Sequence, residues 1–218
     1  MLVNDELGTR MKDYEARNQY FLKRRTPVAI RVDMKSGHSF TKGFQRPFDE
    51  IFVKSMQQTA KFMCENIQGA VLSFQQSDEI TIILQDYKNL NTDAWFNYRT
   101  DKMCSIAASM ATMAFNKFFY EAVQDWYWKD PLVTNLKLPS KENLKDIYTK
   151  ALDKGAMFDA RCFNIPKEEV CNLIYWRQLD AIRNSIQMVG QANFSHKELQ
   201  NKSCNMIQEM LFAEKGIN

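Results

Sequence analysis

Pro27-Val28-Ala29-Ile30-Arg31-Val32-Asp33 is the stretch from which the fold can be read outward. Its period-2 alternation predicts a strand with Val28, Ile30 and Val32 on one face and Arg31 and Asp33 on the other. One face is suited to packing; the other ends on a carboxylate. Ala70-Val71-Leu72-Ser73-Phe74 and Ile80-Thr81-Ile82-Ile83-Leu84 read as the two strands of a hairpin. The intervening Gln75-Gln76-Ser77-Asp78-Glu79 is its polar turn, either a solvated tip or a second source of carboxylates. Between the first strand and the hairpin, Phe48, Ile51, Phe52, Ser55, Met56, Thr59, Ala60, Met63, Cys64 and Ile67 recur at helical spacing, one buried stripe that packs back on the sheet. Strand, helix, strand, hairpin strand is the first half of a ferredoxin-like βαββαβ unit. A second long helix from Asp93 to about Trp128, ended by Pro131, and a strand over Ala156 to Ile165 complete it. The expected class is α+β, an antiparallel sheet flanked by helices.

The remaining segments are helical or short. Residues 4 to 20, with Leu7, Met11 and Tyr14 spaced apart, read as a helix. In the second long helix, Ser105, Ala107, Ala108, Ser109, Ala111 and Ala114 form a small-residue stretch that suggests close approach of a neighbour. A short helix capped at Ser140 precedes the last strand. Asp159 and Arg161 share a face of that strand and favour a structural ion pair over a third metal ligand. A helix from Pro166 to about Val189 places Trp176, Asp180, Arg183 and Asn184 on roughly one side. Ser195-His196-Lys197-Glu198 is a capping box opening a last helix, which makes His196 an exposed first-turn residue. This division suggests a catalytic unit over 1–165 and a helical region over 166–218.

Composition narrows the function. The chain has 218 residues, 45% of them apolar, enough to bury a core. No apolar run approaches the ~20 residues of a membrane span, and the start has no positive region ahead of an apolar stretch. The default compartment is therefore cytoplasmic. Five cysteines, odd in number and without a Cys-x-x-Cys pair, argue against zinc and a disulfide framework and read as small buried hydrophobes. A net charge of +3 permits RNA binding without requiring it. Lys23-Arg24-Arg25 is the densest basic run, a solvated loop or a phosphate contact. Arg99 and Lys102 are further candidates for phosphate. Lys35-Ser36-Gly37-His38 follows a strand and contains a glycine, so its amides are placed to cradle a triphosphate while Lys35 and His38 add charge. Phe40 and Phe44, four apart, favour the core over base stacking.

Ile30-Arg31-Val32-Asp33-Met34-Lys35-Ser36-Gly37-His38-Ser39-Phe40 resembles the nucleotide and metal motif of the tRNA-His guanylyltransferase superfamily. Gln76-Ser77-Asp78-Glu79 resembles its second acidic motif, Phe158-Asp159-Ala160-Arg161 its Phe-Asp-Gly-Arg strand, and Trp176-Arg177-Gln178-Leu179-Asp180 its Trp-Arg-Gln-x-Asp helix. Four motifs in order, over most of the chain, make the resemblance specific. It implies a fold like the palm of ordinary polymerases and an enzyme that adds nucleotides to tRNA 5' ends in the 3'-5' direction. It further implies two Mg²⁺ ions bridged by Asp33 and Asp78, with the Met34 carbonyl completing one shell and Glu79 supporting from beside Asp78. Met34, Lys35, Ser36, Gly37, His38 and Ser77 would contact the nucleotide; GTP and ATP would be substrates, tRNA the partner, and a homotetramer the assembly.

Three departures refine the expectation. Met34 and Lys35 replace a glycine and an arginine, and methionine suits a backbone ligand only where φ is negative. Ala181 in Ala181-Ile182-Arg183-Asn184 replaces a histidine that marks the branch adding a single guanylate to tRNA-His. This points to the branch that repairs 5'-truncated tRNA by template-directed polymerisation, with single-guanylate addition as the alternative. Glu214-Lys215-Gly216-Ile217-Asn218 resembles the start of a segment that continues in relatives, as in a shortened chain. A non-catalytic RNA-binding palm is disfavoured by the retained Asp33, Asp78 and Glu79, since a pure binder has no use for carboxylates beside RNA phosphates.

Overall fold

A computed structural model describes residues 5–129 and 141–217. Its centre is a four-stranded antiparallel sheet of order β2-β3-β1-β4, formed by β1 (Val28–Met34), β2 (Ala70–Gln76), β3 (Glu79–Leu84) and β4 (Phe158–Asn164). With α3 (Glu50–Asn66) between β1 and β2, and α4 (Thr100–Lys129) between β3 and β4, this is the ferredoxin-like arrangement expected. The class is α+β. Val28, Ile30 and Val32 lie in one core with Ile80, Ile82 and Leu84 of β3 and with the buried stripe of α3, including Phe52, Met56 and Met63. The opposite face is also covered: Ala29 and Ile83 are buried too.

α3 starts where Asp49 accepts hydrogen bonds from the amides of Phe52 (2.9 Å) and Gln45 (3.0 Å) and from the Tyr148 hydroxyl (2.7 Å). One buried carboxylate thereby caps a helix, fixes the preceding loop and anchors α5 (Lys141–Lys154), which carries Tyr148. Burial, with the adjacent Asp49, pushes the Tyr148 phenol well above its ordinary range. Phe40 and Phe44 belong to the core, as anticipated: Phe40 meets Phe115 and Phe119 at ring separations of 5.6 and 5.5 Å, and Phe44 stacks on Phe119 at 5.8 Å.

The second long helix begins later than its periodicity suggests. Phe96, Asn97 and Tyr98 hold φ values of 49°, 52° and 59°, and a 3-10 turn over Trp95–Tyr98 precedes α4. The cause is tertiary: the chain at residues 20–22 docks there, the Leu22 amide donating to the Tyr98 carbonyl and the Thr100 amide to the Tyr20 carbonyl, both at 2.9 Å. Of the small residues in α4, Ala107, Ala111 and Ala114 are buried within the protomer, whereas Ser105 and Ser109 face outward. The close neighbour is α3 and the sheet, so the alanines are not available as an intersubunit surface. Pro131 and Ser140 lie outside the described residues.

α1 (Asp5–Ala16) is helical, but Leu7, Met11 and Tyr14 are all exposed on it. α6 (Val170–Asn193) is preceded by a 3-10 turn over Lys167–Glu169. The capping box at Ser195 and Glu198 is present, but the helix it opens, α7 (His196–Leu199), is a single turn. The last helix, α8 (Cys204–Lys215), has its own cap at Ser203. Phe194, Ile207 and Leu211 form a small second core between α6 and α8. A Cβ on Gly190 would lie 2.7 Å from Ile207 Cγ2, so these two helices meet at a contact that only glycine permits.

The cysteines are not the buried hydrophobes expected. Cys171 is exposed and the other four are only partly buried; none is disulfide-bonded. Cys104 and Cys162 approach to 3.4 Å between sulfurs, and burial together with Cys104 pushes the Cys162 thiol up to about 12. Among the described residues, no helix is long and apolar enough to cross a membrane.

Candidate active site

Asp33 lies near the end of β1, where the ladder sets it opposite Glu79 on β3 and Asp159 on β4. The hairpin turn is tighter than its polar sequence suggests. The strands run on to Gln76 and resume at Glu79, leaving Ser77 and Asp78 as the tip, with Ser77 at φ 49°. The Met34 amide donates to the Asp78 carbonyl at 3.1 Å, tying the tip to the end of β1. In this way residues distant in sequence become neighbours through strand pairing.

Asp33 feels that crowding. Burial, then the charges of Asp78, Glu79 and Asp159, hold its carboxyl above the usual range, opposed by Arg161. Asp159 and Arg161 form the anticipated ion pair at 3.7 Å, although both side chains are exposed. Among the described residues, no cluster of three or more His, Cys, Asp or Glu side chains is placed to hold a metal. The donors are nonetheless right for a hard divalent cation: two carboxylates bearing excess negative charge, beside strand carbonyls, with the remaining positions left to water and phosphate oxygens in the manner of Mg²⁺. Asp33, Asp78 and the Met34 carbonyl would hold it. Among the described residues, the non-glycine residues with positive φ are Arg25, Ser36, Ser77, Phe96, Asn97, Tyr98 and Asn201, so Met34 meets the backbone condition set by its replacement of glycine.

α2 (Gly37–Phe40) follows Ser36, which adopts a left-handed φ of 57°. A Cβ on Gly37 would fall 1.9 Å from Asp78 Oδ2, so Asp78 reaches the α2 backbone only because residue 37 has no side chain. The amide of Lys35 donates to the Met157 carbonyl at 2.8 Å and is therefore not part of a phosphate cradle; the Lys35 side chain is exposed, as are Ser36 and His38. A cavity of about 670 Å³ opens beside Asp78, lined among others by Gly37, His38, Ser77, Arg46, Met188 and Gln191. The last two come from α6 and carry no sequence signal, because helical periodicity does not say which distant loop a helix faces. Asp49 also lines it, and its position just ahead of the α3 stripe was the available clue.

Glu79 does not face the two aspartates' site as a free carboxylate. It pairs with Arg31 and with Arg177, whose Nε lies 3.0 Å from Oε1. The Arg177 Nε–H is off axis for a hydrogen bond, so that contact is coulombic. Arg177 is buried and also donates to Asp180 at 2.7 Å. Asp180 accepts further from Arg183, from Gln76 at 3.4 Å and from Asn184 at 3.4 Å. Trp176 lies against both Arg31 and Arg177, with guanidinium-to-ring separations of 5.6 and 4.4 Å. The motif residues of α6 thus clamp that helix onto the sheet immediately behind the acidic tip.

The other basic candidates are committed elsewhere. Arg24 pairs with Asp86 at 2.7 Å and the Arg25 amide donates to the same carboxylate, which resolves that cluster as a pinned loop. Arg99 pairs with Asp101 at 3.0 Å, and Lys102 sits over the Phe96 ring at 5.0 Å.

Comparison with known proteins agrees with this fold. A bacterial tRNA(His) guanylyltransferase-like protein solved in complex with ATP is 38% identical, covering 97% of this chain and 81% of that one, with a TM-score of 0.79. A bacterial protein of the same description in complex with GTP is 37% identical over 91% of this chain and 76% of that one, TM-score 0.70. An uncharacterized protein of Acanthamoeba polyphaga mimivirus is 30% identical, matching 100% of this chain and 72% of its own length. The tRNA(His) guanylyltransferase of Saccharomyces cerevisiae is 28% identical over 88% of this chain and 75% of its own. Residues 8–166 match the tRNAHis guanylyltransferase family, spanning the whole sheet and the acidic tip. The chain belongs to the tRNAHis guanylyltransferase family of nucleotidyltransferases.

Proposed function

We propose that this protein adds nucleotides to the 5' end of truncated tRNA in the 3'-5' direction, choosing each by pairing with the opposite acceptor strand. The observation that carries the reading is that Asp78, close enough to Asp33 for their charges to interact, lines a cavity large enough for a nucleotide. Solved relatives that bind ATP and GTP support it. Two Mg²⁺ ions, when bound, would supply charge neutralisation over the phosphate oxygens and activation of the attacking hydroxyl.

The protein's own residues have simpler tasks. Asp33, Asp78 and the Met34 carbonyl present oxygen ligands. Glu79, held by Arg31 and Arg177, positions the tip next to it. Lys35 brings positive charge and His38 an imidazole to the triphosphate, with Ser36, Gly37 and Ser77 at its side. The 3'-hydroxyl of the incoming nucleotide then attacks an activated 5' end of the RNA, a triphosphate releasing pyrophosphate or an adenylylated monophosphate releasing AMP. Template selection by Watson–Crick pairing lets the protein bind shape and backbone alone. Action in the cytoplasm, as a homotetramer, completes the reading; with Ala107, Ala111 and Ala114 buried, α4 still offers exposed apolar side chains to a neighbour, among them Ile106, Met113 and Tyr120.

The test is incubation with Mg²⁺, each nucleotide in turn, and a 5'-labelled tRNA lacking its first 5' nucleotides, alongside full-length tRNA-His. Templated extension of several truncated tRNAs is the expected result. Preferential addition of one unpaired guanylate to tRNA-His instead assigns the protein to single-guanylate addition, and inactivity on both substrates refutes nucleotidyl transfer to tRNA.

A further inference from the structure

A groove of about 480 Å³ continues the cavity at its α6 side. The two share Arg46 and Gln191 in their linings, so they lie side by side on this face. The groove is built from the end of α6, the α7 turn and the start of α8: Gln187, Gln191, His196, Gln200 and Lys202, over an apolar floor of Phe194, Leu199 and Ile207. Most of it lies beyond residue 166, outside the segment that defines the family.

Its charge is one-sided. Arg46, His196 and Lys202 line it and no carboxylate does. Among the described residues, none of the three is in an ion pair, in contrast to Arg24, Arg31, Arg99 and Arg177. The support is firm: Phe194, Ile207 and Leu211 pack beneath it, Gly190 allows α6 and α8 into contact, and Ser195 and Glu198 cap α7 reciprocally.

We propose that this groove holds the phosphate backbone of the RNA strand whose end reacts in the cavity. The inference rests on the tRNA-extension reading and names the part of the surface that meets the RNA. Two separate segments contribute the exposed cations Arg46 and Lys202, and a third adds the His196 imidazole as a hydrogen-bonding group; charges spread over separate segments suit successive phosphates, whereas a single triphosphate is gripped by convergent amides or a metal. The glutamine amides offer donors and acceptors to phosphate and sugar without distinguishing bases.

The test measures binding of a fluorescent 5'-truncated tRNA to the full chain by anisotropy across a salt series, with ATP binding measured separately in the absence of RNA. Lys202→Glu is the informative variant, because Lys202 is exposed and does not line the cavity. Each phosphate contact contributes a slope of about −0.7 to −0.9 in log K against log salt, so its loss weakens tRNA binding about tenfold at 50 mM salt. The expected outcome is that loss, a slope shallower by about one, and an unchanged ATP dissociation constant, with His196→Gln smaller in the same direction. Unchanged tRNA affinity and slope in Lys202→Glu overturns the proposal, as does weakened ATP binding with tRNA binding intact. Wild-type protein that binds tRNA with this salt signature yet extends none refutes the extension reading and leaves the groove standing.

Discussion

Removing Arg177 is the perturbation that best tests how the fold supports the site. Its side chain is 6% exposed and sits between Glu79, 13% exposed, and Asp180, 20% exposed. Deleting one partner of a buried pair costs about 3–5 kcal/mol, because a desolvated charge is left uncompensated. Here the strandings are partial: Glu79 keeps Arg31, and Asp180 keeps Arg183 and Gln76. Arg177→Met, which also retains most of the packing volume, is therefore expected to cost about 2–3 kcal/mol. For a urea dependence of about 3 kcal/mol/M, the unfolding midpoint falls by roughly 0.7–1 M. Glu79→Gln should cost a similar amount, since it leaves two arginines without their shared acid. The double variant should cost less than the sum of the singles by about 1–2 kcal/mol, measured as a double-mutant cycle by far-UV circular dichroism. Because α6 carries Met188 and Gln191 to the cavity, Arg177→Met should also weaken ATP binding. Additivity within 0.5 kcal/mol, or a midpoint shift below about 0.2 M, refutes the clamp.

Gly37→Ala places a methyl 1.9 Å from Asp78 Oδ2 and must displace that carboxylate; nucleotide addition should fall about 100-fold with the circular dichroism spectrum unchanged, and activity within threefold of wild type is the contrary result. Asp33→Asn tests crowding through its sign. The folded-state pKa of Asp33 is raised above the ordinary 3.8, so its ionisation destabilises the fold at neutral pH, an effect absent once both folded and unfolded states are protonated below that value. Without Mg²⁺, Asp33→Asn should therefore melt higher than wild type at pH 7, lose that advantage at acid pH, and abolish addition; a lower melting temperature at pH 7 contradicts the electrostatic account. Tyr148→Phe removes the hydroxyl that donates to buried Asp49 and should cost about 1–3 kcal/mol in denaturant unfolding, with no cost as the refuting outcome.

How far the sequence could be read depended on whether the decisive contact was local. Alternation in Val28 to Asp33 separated the core face from the face bearing Asp33, because a strand's side-chain period is independent of its partners. The α3 stripe was legible for the same reason, and the order of elements then admitted few sheets. The late start of α4 was not, since its left-handed residues answer to a chain segment some eighty residues earlier. The acidic motifs could be recognised by resemblance, yet their division of labour could not. Asp78 and Glu79 are adjacent in sequence and both acidic, and a hairpin separates such neighbours: one is the tip residue that closes on Gly37, the other the first residue of β3. The Glu79 carboxylate is taken up by Arg31 through strand pairing and by Arg177 from a helix nearly a hundred residues away. Spacing within α6 showed that Arg177 and Asp180 were within reach of each other, but only the docking of α6 reveals that together they hold the acid next to Asp78. Recruiting a carboxylate so held as a ligand would break the clamp, so Glu79 and Asp78, alike in chemistry, should differ in kind when substituted: loss of Glu79 is read first in stability, loss of Asp78 first in turnover.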